Sequence, residues 1–147
     1  IEQEVISYTC APKFFPEVFA SGKGWIIVER IKNTYRTNKN LGKEVGDYFG
    51  FDYNKINEIL GGKWSSFFDV AKFFQQYYIY KDSPAYKQVK AILLSNSNFF
   101  EFIQSVKKCG IKLNDLHLNN YGFNTKGNFV IIDVEYGTHD FSDLILE

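Results

Sequence analysis

The segment Asn114-Asp115-Leu116-His117-Leu118-Asn119-Asn120, followed by Phe129-Val130-Ile131-Ile132-Asp133, holds the residue types that phosphoryl transfer from a metal-bound nucleotide requires. In that chemistry one carboxylate accepts the proton of an attacking hydroxyl, while an amide oxygen and a second carboxylate hold Mg²⁺ on the phosphates. Asp115 is spaced for the first role, and Asn120 with Asp133 for the second. An apolar strand such as Val130-Ile131-Ile132 cannot bury a carboxylate cheaply, so Asp133 is expected to emerge at its end, where a cation could meet it. The plainer alternative is that Asp115 and Asn120 cap turns and Asp133 merely ends a strand.

Elements on both sides must position this segment. Residues 1 to 10 place Ile1, Val5, Ile6 and Thr9 on one helical face, and Pro12 stops the pattern. Phe15 to Phe19 and Trp25 to Ile31 are aromatic and β-branched, with Ser21-Gly22-Lys23-Gly24 as the turn of a hairpin. Lys32 to Asn40 is polar and without period, and Leu41 to Leu60 reads as helical pieces broken at Gly42, Gly46, Gly50 and Gly61-Gly62. Ser66 and Asp69 form a capping box ahead of Phe67, Phe68, Val70, Ala71, Phe74 and Tyr78, a stripe expected in the core. Ser83-Pro84 opens a helix with Val89, Ile92 and Leu93 on its apolar face. Asn98, paired with Glu101, opens another that carries Phe99, Phe102, Ile103 and Val106 and closes at Lys107-Lys108-Cys109-Gly110. Beyond the Asp115 loop, Tyr121 to Phe123 and Phe129 to Ile132 form a second hairpin around a turn at residues 124 to 128. The pattern is that of one α+β domain.

At 147 residues, 45% of them hydrophobic, the chain can bury a sizeable core. Seventeen basic and seventeen acidic residues give zero net charge, so no global field points to nucleic acid or an anionic membrane. No apolar run approaches the roughly 18 residues of a membrane span, and a cytoplasmic protein is the expectation, in the host cytoplasm if viral. Cys10 and Cys109 are far apart without metal-ligand spacing and are expected as reduced thiols rather than a disulfide. Lys supplies 15 of the 17 basic residues and Asn, Ile, Tyr and Phe are abundant, a bias suggesting the AT-rich genome of a virus, phage or low-GC bacterium. The chain opens on Ile1 and holds no Met, so further N-terminal residues are expected upstream.

Asp115-Leu116-His117-Leu118-Asn119-Asn120 resembles the catalytic loop of the protein-kinase-like superfamily, in particular its aminoglycoside phosphotransferase type. Ile132-Asp133-Val134-Glu135-Tyr136 is similar to the metal-binding segment of choline and ethanolamine kinases. The resemblance implies Asp115 as base, Asn120 and Asp133 as metal ligands with Glu135 beside them, and His117 as a phosphate or substrate contact. Upstream, Trp25-Ile26-Ile27-Val28-Glu29-Arg30-Ile31 resembles the strand and hinge between kinase lobes, where backbone groups of Glu29, Arg30 and Ile31 would meet adenine. The first helix would be the regulatory helix, with Glu2 or Glu4 pairing a nucleotide-binding Lys. ATP and Mg²⁺ are the implied substrate and cofactor. Residues 1 to 31 would be a remnant of the strand lobe and residues 32 to 147 a reduced helical lobe.

The chain departs from the family in several places. It has no Gly-rich phosphate loop and no Val-Ala-Ile-Lys strand, Leu113-Asn114 replaces His-Arg, and Val-Glu-Tyr-Gly replaces Phe-Gly after the metal Asp. Two function classes therefore stay open. One is a phosphotransferase acting on a protein or small-molecule hydroxyl; the other is a degenerate kinase-like module that binds and regulates a partner protein. A non-kinase α+β domain is the third possibility.

Overall fold

Residues 2–111 and 119–132 are described by the computed structural model, apart from the side chains of Glu2, Gln3, Glu4 and Tyr78; Asp115, His117, Asp133 and Glu135 lie outside the described residues. The mixed α+β character is as expected. Helix α1 spans Glu2–Cys10, but its buried side is not the expected face: Ile6 is 63% exposed while Tyr8 is buried and stacks on Phe15. An aromatic that can bury its ring and still bond its hydroxyl outweighs a short aliphatic periodicity. A short 3₁₀ turn, Pro12–Phe14, then leads into the hairpin β1 (Val18–Gly22) and β2 (Trp25–Val28). Ser21 and Gly22 belong to the strand rather than the turn, since Gly22 pairs with Trp25 across the hairpin.

The polar stretch that carried no periodicity contains β3 (Asn33–Thr34). Helices α2 (Leu41–Phe49) and α3 (Tyr53–Leu60) follow. Gly42 and Gly46 lie inside α2 instead of breaking it; the breaks come at Gly50 and Gly61, both with φ in the left-handed region that ends helices. The Ser66–Asp69 capping box forms as expected and starts α4 (Phe67–Tyr80), followed by α5 (Pro84–Leu94) and α6 (Ser97–Lys108). Asn96, not Asn98, precedes α6, and the Glu101 carboxylate pairs with Lys13 at 2.9 Å rather than with the helix N-terminus. Strands β4 (Tyr121–Phe123) and β5 (Phe129–Ile131) form the second hairpin, its turn held by Asn124 Oδ1 accepting from the amides of Lys126 and Asn128.

Phe49 ties these elements together. Its ring lies 5.1 Å from Phe129 of β5, 5.3 and 6.0 Å from Phe99 and Phe102 of α6, and 5.9 Å from Phe67 of α4. Aromatic pairs at such spacings contribute about 0.5–1.5 kcal/mol each beyond area burial. The expected α6 stripe is buried in this cluster, and of the α4 stripe Phe67, Val70, Ala71 and Phe74 are, joined by Phe73 and Tyr77, whereas Phe68 is only half-buried and the Tyr78 side chain lies outside the described residues.

Among the described residues two sheets result: β1–β2, and β3-β4-β5, antiparallel throughout. In the second, Asn33 pairs with Phe123 and Thr34 with Gly122. A Cβ at Gly122 would strike the Asn33 carbonyl oxygen, so β3 reaches β4 only because residue 122 has no side chain.

The cysteines are not the reduced pair expected: Cys10 and Cys109 form a disulfide, their Cα atoms 6.0 Å apart across 99 residues of sequence. Sequence distance hid the fact that the ends of α1 and α6 meet, drawn together by Phe14 on Phe102 at 5.2 Å and by the Lys13–Glu101 pair.

Closing a loop of that length restricts the unfolded chain, so reduction, or Cys109→Ser, should lower the unfolding free energy by about 2–4 kcal/mol. Urea midpoints with and without dithiothreitol check this, and equal midpoints would contradict it. Gly122→Ala should cost about 1–3 kcal/mol through the forced separation of β3 and β4; an unchanged midpoint would show that the ladder does not need the glycine.

Candidate functional site

The site grows from the end of the first hairpin. Pairing of β1 and β2 carries on to Glu29, whose N–H donates to the Glu17 carbonyl at 2.8 Å and whose carboxylate accepts from the Glu17 N–H at 3.4 Å. Beyond Glu29 the pairing stops. Among the described residues no hydrogen bond engages the backbone of Arg30 or Ile31, and order resumes where Thr34 N–H and the Thr37 hydroxyl both donate to the Lys32 carbonyl, at 3.1 and 2.6 Å. Arg30 and Ile31 thus form a short strap with donors and acceptors to spare.

The opposite wall comes from the second hairpin. Asn120 precedes β4 and is 4% exposed, and its carbonyl accepts from the Ile132 N–H at 2.8 Å. That bond joins the residue closing the Asp115 loop to the residue before Asp133. The Tyr8 hydroxyl donates to the Ile132 carbonyl at 3.0 Å, so α1 braces the same strand end. The hydroxyls of Tyr53 and Tyr121 are buried and bonded to nothing among the described residues; burial pushes both phenol pKa values up and keeps them neutral.

Strap and hairpin end share one cavity of about 780 Å³, within the size range of ligand pockets. Its lining includes Glu29, Arg30 and Ile31 together with Asn119 and Ile132. The expected hinge residues and the flanks of the expected catalytic and metal segments therefore meet. Asp115, His117, Asp133 and Glu135 lie outside the described residues, as do the side chains of Glu2 and Glu4, whose backbone belongs to α1. Lys32, Thr34, Arg36 and Thr37 also line the cavity and were missed. They lie in a polar stretch without period that carries no signal of its own; Arg30 and Arg36 are the two arginines of the chain.

Asn120 and Asp133 are hard oxygen donors of the kind Mg²⁺ takes, and the backbone of Asn120 is already fixed by Ile132. Asn120 is buried and is not in the cavity lining, Asp133 lies outside the described residues, and among the described residues no group of three His, Cys, Asp or Glu gathers. Also among the described residues, no helix is long and apolar enough to cross a membrane. Comparison with family models, with curated proteins and with solved structures finds no match to this chain.

Proposed function

We propose that the chain is a kinase-like, Mg²⁺-dependent phosphotransferase that uses ATP on a protein or small-molecule hydroxyl. The observation that carries the reading is the shared cavity: Glu29, Arg30 and Ile31, far from residues 119 and 132 in sequence, line it with Asn119 and Ile132. The unpaired backbone of Arg30 and Ile31 suits the donor and acceptor edge of adenine. Asp115 would take the proton of the attacking hydroxyl, and His117 would touch phosphate or substrate. Asn120 and Asp133 would hold Mg²⁺, which when bound supplies charge neutralisation on the phosphates.

A second reading, a kinase-like module that engages a protein partner without turnover, is favoured by the outer face of the first hairpin. Phe19, Trp25 and Ile27 are all exposed there. Apolar side chains grouped in this way mark interaction surfaces.

Radiolabelled γ-phosphate transfer with parallel nucleotide binding separates the two. Asp115→Asn should abolish transfer and leave ATP binding nearly intact, because its contribution belongs to the transition state. Asp133→Ala should remove Mg²⁺-dependent binding and transfer together. Transfer by Asp115→Asn at the wild-type rate would remove Asp115 from the role of base, and absence of transfer by wild type with every acceptor tried would favour the binding module.

A further inference from the structure

Both arginines of the chain, Arg30 and Arg36, line the cavity, and Lys32 lies between them in sequence. The molecule has zero net charge, so this concentration does not mirror its composition. Glu29 is the one acid in the described lining, and its carboxylate is engaged by the Glu17 amide. Three cations against one carboxylate leave this wall at +2. Among the described residues none of the three cations enters an ion pair, in contrast to Lys13 and Glu101.

Cations without internal partners, gathered on the wall of a cleft, concentrate anions there. Guanidinium groups add geometry to charge: their paired N–H donors meet two oxygens of a phosphate at once, and they give up hydration more readily than an ammonium does. We propose that Arg30, Lys32 and Arg36 form a phosphate-binding lip that takes the phosphate oxygens of the cavity's ligand. This assignment rests on the proposed function only for the ligand's identity. The phosphates of a nucleotide and those of a phosphorylated acceptor present the same oxyanions, and the lip serves either.

The test is calorimetric titration of the full chain, without added metal, using tripolyphosphate, ATP, ribose 5-phosphate and adenosine at low and raised ionic strength. Wild type should bind tripolyphosphate, more weakly as salt rises. The exposed pair Arg30→Gln/Arg36→Gln should weaken that binding on the order of tenfold or more, with Arg30→Lys/Arg36→Lys between the two, and Arg36→Gln alone should leave adenosine binding unchanged. Matching circular dichroism and melting curves establish that the variants fold. A parallel loss of ATP affinity assigns the lip to the nucleotide, whereas loss confined to tripolyphosphate and ribose 5-phosphate assigns it to a phosphorylated acceptor. Tripolyphosphate that fails to bind, or binds wild type and the Gln variant equally, overturns the lip even if phosphate transfer from ATP is observed. Tripolyphosphate binding that depends on the arginines, without adenosine binding or transfer, keeps the lip and removes the ATP reading.

Discussion

A two-residue ladder, Asn33 and Thr34 against Phe123 and Gly122, is the constraint on which the site depends. The strap of Arg30 and Ile31 leads through Lys32 into β3, and the Asn119-Asn120 pair runs directly into β4. Pairing β3 with β4 therefore brings the two walls of the cavity together, although they are almost ninety residues apart in sequence. So short a ladder is weak alone. It persists because β4 is also paired with β5, and β5 is locked into the aromatic cluster by Phe129 against Phe49.

That cluster connects the helices to the cavity. Phe49 ends α2 and touches rings from α4, α6 and β5, so movement of any of these elements would open a void that costs dispersion contacts on several sides. The Asn120–Ile132 bond then carries rigidity from the core to the point where the chain enters Asp133. From the other side α1 is held twice, by the Tyr8 hydroxyl on Ile132 and by the Cys10–Cys109 bridge to the end of α6. The segment carrying Asp115 is thus bounded by a disulfide-tethered helix end and a paired strand.

Much of this was legible in the sequence because local chemistry dictated it. The Ser66–Asp69 box, Pro84 at a helix start, Gly110 after α6 and the Asn124 turn need only their neighbours to act, and they appear as expected. The unread features were set by distant partners. β3 is two residues long and exists because β4 lies beside it, α1 buries Tyr8 because Phe15 and Ile132 receive it, and the disulfide depends on two helix ends meeting. At the site, Glu29 to Ile31 could be picked out by their place after an apolar strand. Lys32, Arg36 and Thr37 could not, since a polar stretch without period gives no sign of which wall it will form.

The central claim is that the strap and the end of the second hairpin make one nucleotide site. A crystal structure of the full chain with Mg²⁺ and a non-hydrolysable ATP analogue tests it most directly. The account predicts adenine against the backbone of Arg30 and Ile31, with the metal at about 2.0–2.1 Å from oxygens of Asn120 and Asp133 and Asp115 facing the terminal phosphate. An analogue bound away from this cavity, or Asp115 and Asp133 on opposite faces of the molecule, would contradict it.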